Sequence, residues 1–224
     1  MRVVANYSTS LFDYINSDKN LKEVLSQGAD ESLLSEGAKK TLREKGISLN
    51  GSTTKDASVY ETVQETAESV RDSVIAFTGS DADSLFTTAE SSGSTAKIVT
   101  EVKSFVENYN AFASAVKEMG GSENTTYLEQ MNALLSKDSD AYEKIGLTFA
   151  EDGTLTLDDK VLDGASVQDL KTAFYKDNDL EEIAQKSIRV QANAISGKYA
   201  ATVSNYTDSG TYSNSALSSF LKSI

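Results

Sequence analysis

Seven apolar residues between positions 98 and 119 follow one another at alternating intervals of four and three residues. They are Ile98, Val102, Phe105, Tyr109, Phe112, Val116 and Met119. This repeat places all seven on one face of a helix and is typical of coiled-coil-like packing against other helices. Gly120 and Gly121 follow at once and predict the end of the helix. We call Ile98 to Val116 the seam and expect it to serve as an interaction surface.

A second pattern, about residues 146–157, predicts an antiparallel β-hairpin. Two short apolar runs, Ile145–Phe149 and Thr154–Leu157, flank the sequence Glu151-Asp152-Gly153. An Asp-Gly pair between such runs is a strong hairpin signal, because glycine adopts positive φ without steric cost. Asp158-Asp159-Lys160 then suits the first turn of a helix, where carboxylates meet unpaired N–H groups.

Helical periodicity and turn residues predict most of the remaining chain. We expect helices over Tyr7–Leu25, Glu31–Lys45, Ser58–Phe77 and Asp179–Tyr206. Two further helices are expected, one capped by Thr126 and Glu129 and a short one that begins at Ser166. A loop or weak hairpin is expected at Gly79–Gly93, and an amphipathic tail at Thr211–Ile224. The fold class is therefore mainly α, a helical bundle with one small hairpin. Residues 1–50 form a helical appendage or subdomain, and residues 55–224 form the bundle.

Composition narrows the possible functions. The 224 residues contain no Pro, Cys, His or Trp and carry a formal charge of −13. Without His or Cys, the usual zinc sites, thiolate nucleophiles and Ser-His-Asp triads cannot form. The 21 basic residues are scattered among 34 acidic ones, so nucleic acid is not expected as a partner. Neither a membrane-spanning run nor a cleaved signal peptide is predicted.

Carboxylates are the remaining candidates for chemistry. Asp152, Asp158, Asp159 and Asp163 cluster near the hairpin, and Asp81 and Asp83 lie in the polar stretch before Gly93. Turn and cap geometry accounts for the first group without a catalytic role. The second lacks the central glycine and distal glutamate of an EF-hand calcium loop. We therefore expect no enzyme activity, no catalytic residue, no metal site and no cofactor, with a carboxylate-dependent hydrolase as a formal rival.

Two motifs, taken together, resemble a known family. The helical run Phe105-Val106-Glu107-Asn108-Tyr109-Asn110 and the hairpin Ile145-Gly146-Leu147-Thr148-Phe149 through Leu157-Asp158 are similar to the C-terminal part of the flagellar filament-capping family, also called hook-associated protein 2. The matching motif residues are Tyr109, Asn110, Ile145, Gly146, Asp152, Gly153, Leu155, Leu157 and Asp158. The resemblance covers Ala96 to Tyr206, about half of the chain. The N-terminal helix and β-rich head domains of that family have no counterpart, so the chain resembles a reduced member.

The resemblance implies an extracellular structural protein of the bacterial flagellum, exported without a cleaved signal and assembled at the filament tip. Its partners would be copies of itself, as a homo-oligomer, and flagellin, whose assembly it would promote. The alternative is a soluble helical interaction module, an adhesin-like domain or a chaperone-like adaptor, without a flagellar role. If the resemblance reflects ancestry only, the expected location is the cytoplasm.

Overall fold

A computed structural model describes residues 36–45, 56–150, 152–175 and 178–207. These residues are mainly helical with one small two-stranded antiparallel sheet, which confirms the predicted fold class. In chain order the elements are α1 (Glu36–Glu44), α2 (Ala57–Thr78), α3 (Ala82–Ser92), α4 (Ala96–Met119), α5 (Ser122–Lys137), α6 (Ser139–Lys144), β1 (Leu147–Phe149), β2 (Leu155–Leu157), α7 (Asp159–Asp163), α8 (Val167–Phe174) and α9 (Asn178–Thr207).

The chain divides into two compact units. Unit 1 takes its described residues from 36–45, 56–64, 118–125 and 189–207. Unit 2 takes its described residues from 65–117, 126–150, 152–175 and 178–188. Unit 2 contains the hairpin and all of the family-like motif residues.

The core of unit 2 centres on the ring of Phe174 at the end of α8. Its centroid lies 4.5 Å from that of Phe77, 5.8 Å from that of Phe105 and 5.5 Å from that of Tyr142. All four side chains are fully buried. Tilted and edge-to-face contacts of this kind stabilise a core beyond the area that they bury. Four helices, α2, α4, α6 and α8, therefore meet at one aromatic cluster.

Unit 1 combines a close helix contact with a buried polar network. A Cβ atom on Gly197 would lie 2.2 Å from the ring of Tyr60, so only glycine lets this ring lie against α9. The ammonium group of Lys45, which is buried, donates to Glu123 at 2.8 Å and to Asn193 at 3.1 Å. Asn193 donates to Asn124, and Asn124 donates to the carbonyl of Lys45. This closed network fastens the end of α1 within unit 1.

The seam lies inside the chain. Its six side chains, from Ile98 to Val116, are at most 1% exposed, and Met119 is fully buried as well. They pack against other parts of this chain, as the rings around Phe174 illustrate. In this structure the seam is core and is not available as a surface for a partner. Gly120 and Gly121 adopt φ values of 69° and 90°, which confirms the predicted end of α4.

The predicted loop or weak hairpin at Gly79–Gly93 is wrong, because Ala82–Ser92 forms helix α3. The buried residues of α3 are Ala82, Phe86 and Ala89, at helical spacing. Phe86 meets the ring of Tyr175 edge-on at 5.1 Å. The Ser and Thr residues that suggested a loop are accommodated within the helix; Ser92, for example, donates to the carbonyl of Thr88. In α3, burial of the apolar face therefore favours a helix more than the polar composition of the segment favours a loop.

Two predicted helix starts are corrected. The Asp56 carboxylate, rather than Ser58, accepts from a first-turn amide of α2. Helix α5 begins at Ser122, four residues before Thr126, so the predicted cap pair lies in the helix interior. By contrast, the caps expected at Ser166 and at Asp158 are confirmed, since both side chains accept from backbone amides of the first turn.

Helix α9 confirms the predicted long helix. Its buried residues include Leu180, Ile183, Ser187, Val190, Ala194 and Gly197. Ile195 on the same helix is 48% exposed. Small side chains at Ala194 and Gly197 let the helix pack closely.

Several predictions fall outside the described residues. These are the helix Tyr7–Leu25, the first part of the helix Glu31–Lys45 and the tail Thr211–Ile224. The division into residues 1–50 and 55–224 therefore stays a prediction. Lys45, which belongs to the predicted appendage, nevertheless lies in the same unit as Glu123 and Asn193.

The packing around Phe105 yields a first prediction. Phe105→Ala should lower the free energy of unfolding by about 3–5 kcal/mol, because it removes a fully buried ring and leaves a cavity. Urea denaturation followed by circular dichroism measures the change. Ile75→Ala, at a side chain 50% exposed, is the control and should cost about 0.5 kcal/mol or less. A loss below about 1 kcal/mol for Phe105→Ala would contradict its place in the core.

Candidate functional site

The β-hairpin is a minimal two-stranded sheet with a well-bonded turn. Leu147 pairs with Leu157, Thr148 with Thr156, and Phe149 with Leu155. Gly153 has a φ of 81°, and its amide donates to the carbonyl of Ala150. The Asp152 carboxylate accepts from the amide and hydroxyl of Thr154, and these bonds lower its pKa. The Asp-Gly signal therefore produces the turn predicted for it.

Asn110 on α4 completes the outer edge of strand β2. Its Nδ2 donates to the carbonyl of Leu155 at 2.8 Å, and its Oδ1 accepts from the amide of Leu155 at 2.8 Å. A side-chain amide thus makes the two hydrogen bonds that a third strand would supply at this position. Because Leu155 is 3% exposed, both of its backbone groups would otherwise be buried without a partner.

Tyr109 and Asn132 support the turn from beneath. The Tyr109 hydroxyl lies 2.5 Å from Oδ1 of Asn132. A Cβ atom on Gly153 would lie 2.4 Å from Nδ2 of Asn132, so the turn packs directly on this amide. Burial raises the pKa of Tyr109 well above its ordinary value. We call Tyr109, Asn110 and Asn132 the clamp.

Lys117 extends the contact along α4. Its ammonium group donates to the carbonyl of Asp152 at 2.8 Å and lies 3.8 Å from Oδ2 of the same residue. Lys117 follows Asn110 by seven residues, two helical turns on the same face. One face of α4 therefore holds both the turn and strand β2.

The remaining motif residues form the other end of the hairpin. Ile145 is fully buried, and Gly146 has a φ of 82°. A Cβ atom on Gly146 would lie 2.9 Å from both the carbonyl oxygen of Asp158 and Cβ of Val161. The Asp158 amide donates to the carbonyl of Gly146, while its carboxylate caps α7. The structure thus brings together the motif residues from α4 and from the hairpin.

A groove of about 770 Å³ lies along the exposed face of the hairpin. It is lined by Glu143, Gly146, Thr148, Thr156, Leu157, Asp158, Asp159, Lys160 and Val161. The hydroxyls of Thr148 and Thr156 lie 3.1 Å apart across the two strands. Val161 is 41% exposed beside them. We call this surface the hairpin groove.

The four aspartates near the hairpin that the sequence singles out make structural contacts. Asp152 closes the turn and Asp158 caps α7. Asp159 and Asp163 lie 2.9 Å and 3.4 Å from the ammonium group of Lys103. Within the part of the chain that the structure describes, no group of three acidic side chains could hold a metal ion. These carboxylates therefore hold the turn, the start of α7 and the contact between α7 and α4.

Sequence reasoning missed three residues that fix the hairpin, namely Asn132, Lys117 and Lys103. The position of Lys117, two turns after Asn110, was a usable signal. Lys103 also lies seven residues before Asn110, on the same face of α4. Asn132 carries no signal in the sequence, because its role depends on how α5 packs beneath the turn.

Comparisons of the chain with protein-family models, with curated proteins and with solved structures give no match. In the part of the chain that the structure describes, no helix combines the length and apolarity needed to cross a membrane.

The clamp yields a second prediction. Asn110→Ala should lower the free energy of unfolding by about 2 kcal/mol or more, because it leaves two buried backbone groups of Leu155 unpaired. Chemical denaturation measures the loss. Asn108→Ala is the matched control on the same helix, and it removes bonds to α2 instead. Equal losses of unfolding free energy in the two variants would show that the hydrogen bonds to Leu155 stabilise the fold no more than those of Asn108.

A third prediction concerns alkaline pH. Burial raises the pKa of Tyr109 in the folded chain, so folding favours the protonated phenol. This stabilisation is complete below the unfolded value of about 10 and falls as pH rises above it. Wild type should therefore lose stability more steeply than Tyr109→Phe between about pH 9 and about pH 11.5. Denaturation at several pH values measures both slopes, and the effects of Lys residues cancel in the comparison. Parallel slopes would contradict the burial of this phenol.

Proposed function

We propose that this chain is a structural protein of flagellar assembly, similar to the filament cap, that acts by binding other proteins. The observation that carries the proposal is the pairing of Asn110 with Leu155. These residues belong to two separate motifs of the family-like pattern, 45 residues apart, and they contact each other directly. A motif whose parts complete one local structure is more informative than two unconnected matches.

Two further features support a binding role rather than catalysis. The carboxylates near the hairpin are engaged in turn, cap and ion-pair contacts. The hairpin groove is an exposed surface held in place by backbone and side-chain hydrogen bonds. A preorganised surface loses little freedom when a partner binds, which favours affinity.

One observation favours the alternative, a self-contained helical interaction module of the adhesin-like or adaptor type. The seam is covered by the chain's own helices, so unit 2 has a core without a partner. Under this alternative the protein does not depend on a flagellum for its location or its binding.

Secretion separates the two proposals. In the native host, a tagged copy of the chain should be found in the culture supernatant and on filaments, and should disappear from both when the flagellar export apparatus is deleted. A cytoplasmic enzyme measured in the same fractions controls for cell lysis. If deletion of the apparatus leaves the amount outside the cell unchanged, or if the chain never leaves the cell, the flagellar proposal fails and the adhesin-like or adaptor module is favoured.

A matched variant connects the secretion assay to the structure. Asn110→Ala should be exported as well as wild type but should restore less motility to a strain lacking the chain, because the hairpin surface is loosened. Asn108→Ala should restore motility fully. If both variants restore motility equally, the hairpin is not the surface through which the chain supports motility.

A further inference from the structure

The buried polar network of unit 1 brings an amine, a carboxylate and a carboxamide into contact. The Nζ atom of Lys45 lies 2.8 Å from Oε2 of Glu123 and 3.1 Å from Oδ1 of Asn193. The carbonyl carbon of Asn193 is one bond of about 1.2 Å from that oxygen. A nucleophilic nitrogen and an electrophilic carbon are therefore neighbours, with a group that can exchange protons beside them.

The site excludes most water. Lys45 and Asn193 are each 6% exposed, Asn124 beside them is fully buried, and Lys45 is the only lysine among the described residues that is buried. Nδ2 of Asn193 donates to Oδ1 of Asn124 at 2.8 Å, which fixes the orientation of the carboxamide. The Glu123 side chain is 33% exposed and connects the site to solvent. Exclusion of water favours attack by the amine over hydrolysis of the carboxamide.

Lys186 makes the same kinds of contact in a more open setting. Its ammonium group donates to Oε1 of Gln130 at 2.8 Å and lies 3.0 Å from Oε1 of Glu182. Both partners of Lys186 are exposed, so water reaches the carboxamide and the carboxylate. Lys45 therefore differs from Lys186 in the burial of its surroundings rather than in the chemical groups that it contacts.

We propose that Lys45 and Asn193 form an intramolecular isopeptide bond, with Glu123 as the catalytic residue. The Glu123 carboxylate first takes a proton from the ammonium group of Lys45 along the 2.8 Å contact. This leaves a neutral amine, which is the nucleophilic form of a lysine. Nζ then attacks Cγ of Asn193, and a C–N bond forms between the two side chains.

The reaction ends with loss of ammonia. Glu123 transfers a proton to Nδ2 of Asn193 and accepts one from Nζ, the bond between Cγ and Nδ2 breaks, and an amide remains. The ammonia takes up the proton that Glu123 first removed and leaves as an ammonium ion. Atoms and charge balance without an oxidant, a reductant or a co-reactant. Each chain reacts once, so this is a modification of the chain and not an enzyme activity.

The bond links the residue after α1 to the middle of α9, across 148 positions of sequence. A link that closes so long a loop restricts the unfolded chain and stabilises the fold. The sequence contains no Cys, so a disulfide cannot supply such a link. Reducing agents do not break an amide. The inference is independent of the proposed function, because it holds whether or not the chain acts in flagellar assembly.

Intact-mass spectrometry of the purified full chain tests the bond. The mass should lie about 17 Da, the mass of ammonia, below that of the sequence. Trypsin should then release residues 44–55 joined to residues 190–198, because it does not cleave after a lysine whose amine is linked. Lys186 and Gln130 are the control within the same digest, and their peptides should not be joined.

Two variants assign the roles. Lys45→Arg keeps the positive charge but lacks the amine, and Glu123→Gln lacks the proton acceptor; both should retain the full mass of their sequences. A loss of about 17 Da that persists in Lys45→Arg would overturn the proposal and indicate cyclisation of an asparagine instead.

The wild-type chain alone can also overturn the bond. A wild-type mass equal to that of the sequence would do so, and so would a loss of about 18 Da, which would indicate a link to Glu123 with release of water. Joined peptides from Glu123→Gln would overturn the catalytic role of Glu123. None of these results bears on secretion, so the proposed function is tested separately.

Discussion

The pair of hydrogen bonds between the Asn110 amide and the backbone of Leu155 is the contact on which the hairpin depends. A two-stranded hairpin alone is marginally stable in water, and three residues per strand is near the lower limit. Strand β2 is nevertheless buried at Leu155, where its backbone groups need partners. The Asn110 side chain supplies them from a helix, so the sheet needs no third strand. The hairpin groove lies along the strands that this attachment holds.

Helix α4 therefore has two roles that its sequence combines. Its apolar residues, spaced by four and three, bury the helix in the core, with Phe105 beside Phe174. A second face, through Lys103, Asn110 and Lys117, holds α7, strand β2 and the turn by polar contacts. The core gives α4 a fixed position, and the polar face transfers that position to the hairpin. The position of the hairpin is consequently tied to that of the core beneath it.

Much of this architecture could be predicted from the sequence, because it depends on local pattern. The spacing of the seam predicted α4, and Asp152-Gly153 between apolar runs predicted the turn. Helix α3 was missed because polar residues can complete their hydrogen bonds within a helix once Phe86 is buried. Helix α9 was predicted, but the close packing of Gly197 against Tyr60 was not, because it depends on the small size of glycine rather than on hydrophobicity.

The candidate site was only half predictable. Asn110 was named through its motif, but its partner could not be, since the contact joins residues 45 positions apart. Asn132 acts through its position under Gly153, which only the packing of α5 creates. A polar amide on a helix otherwise rich in buried side chains was a hint, because such groups are kept buried only when hydrogen-bonded. The sequence could suggest that Asn110 binds something, and the structure identifies what.

Native-state hydrogen exchange at the Leu155 amide tests the central contact most directly. This amide points away from β1 in the observed register, and among the described residues the Asn110 side chain is its hydrogen-bond acceptor. We expect it to exchange as slowly as core amides of α4 in wild type. In Asn110→Ala it should exchange much faster, while the Thr148 amide within the hairpin is affected less. Exchange of the Leu155 amide at the rate of an open loop in wild type would contradict the account.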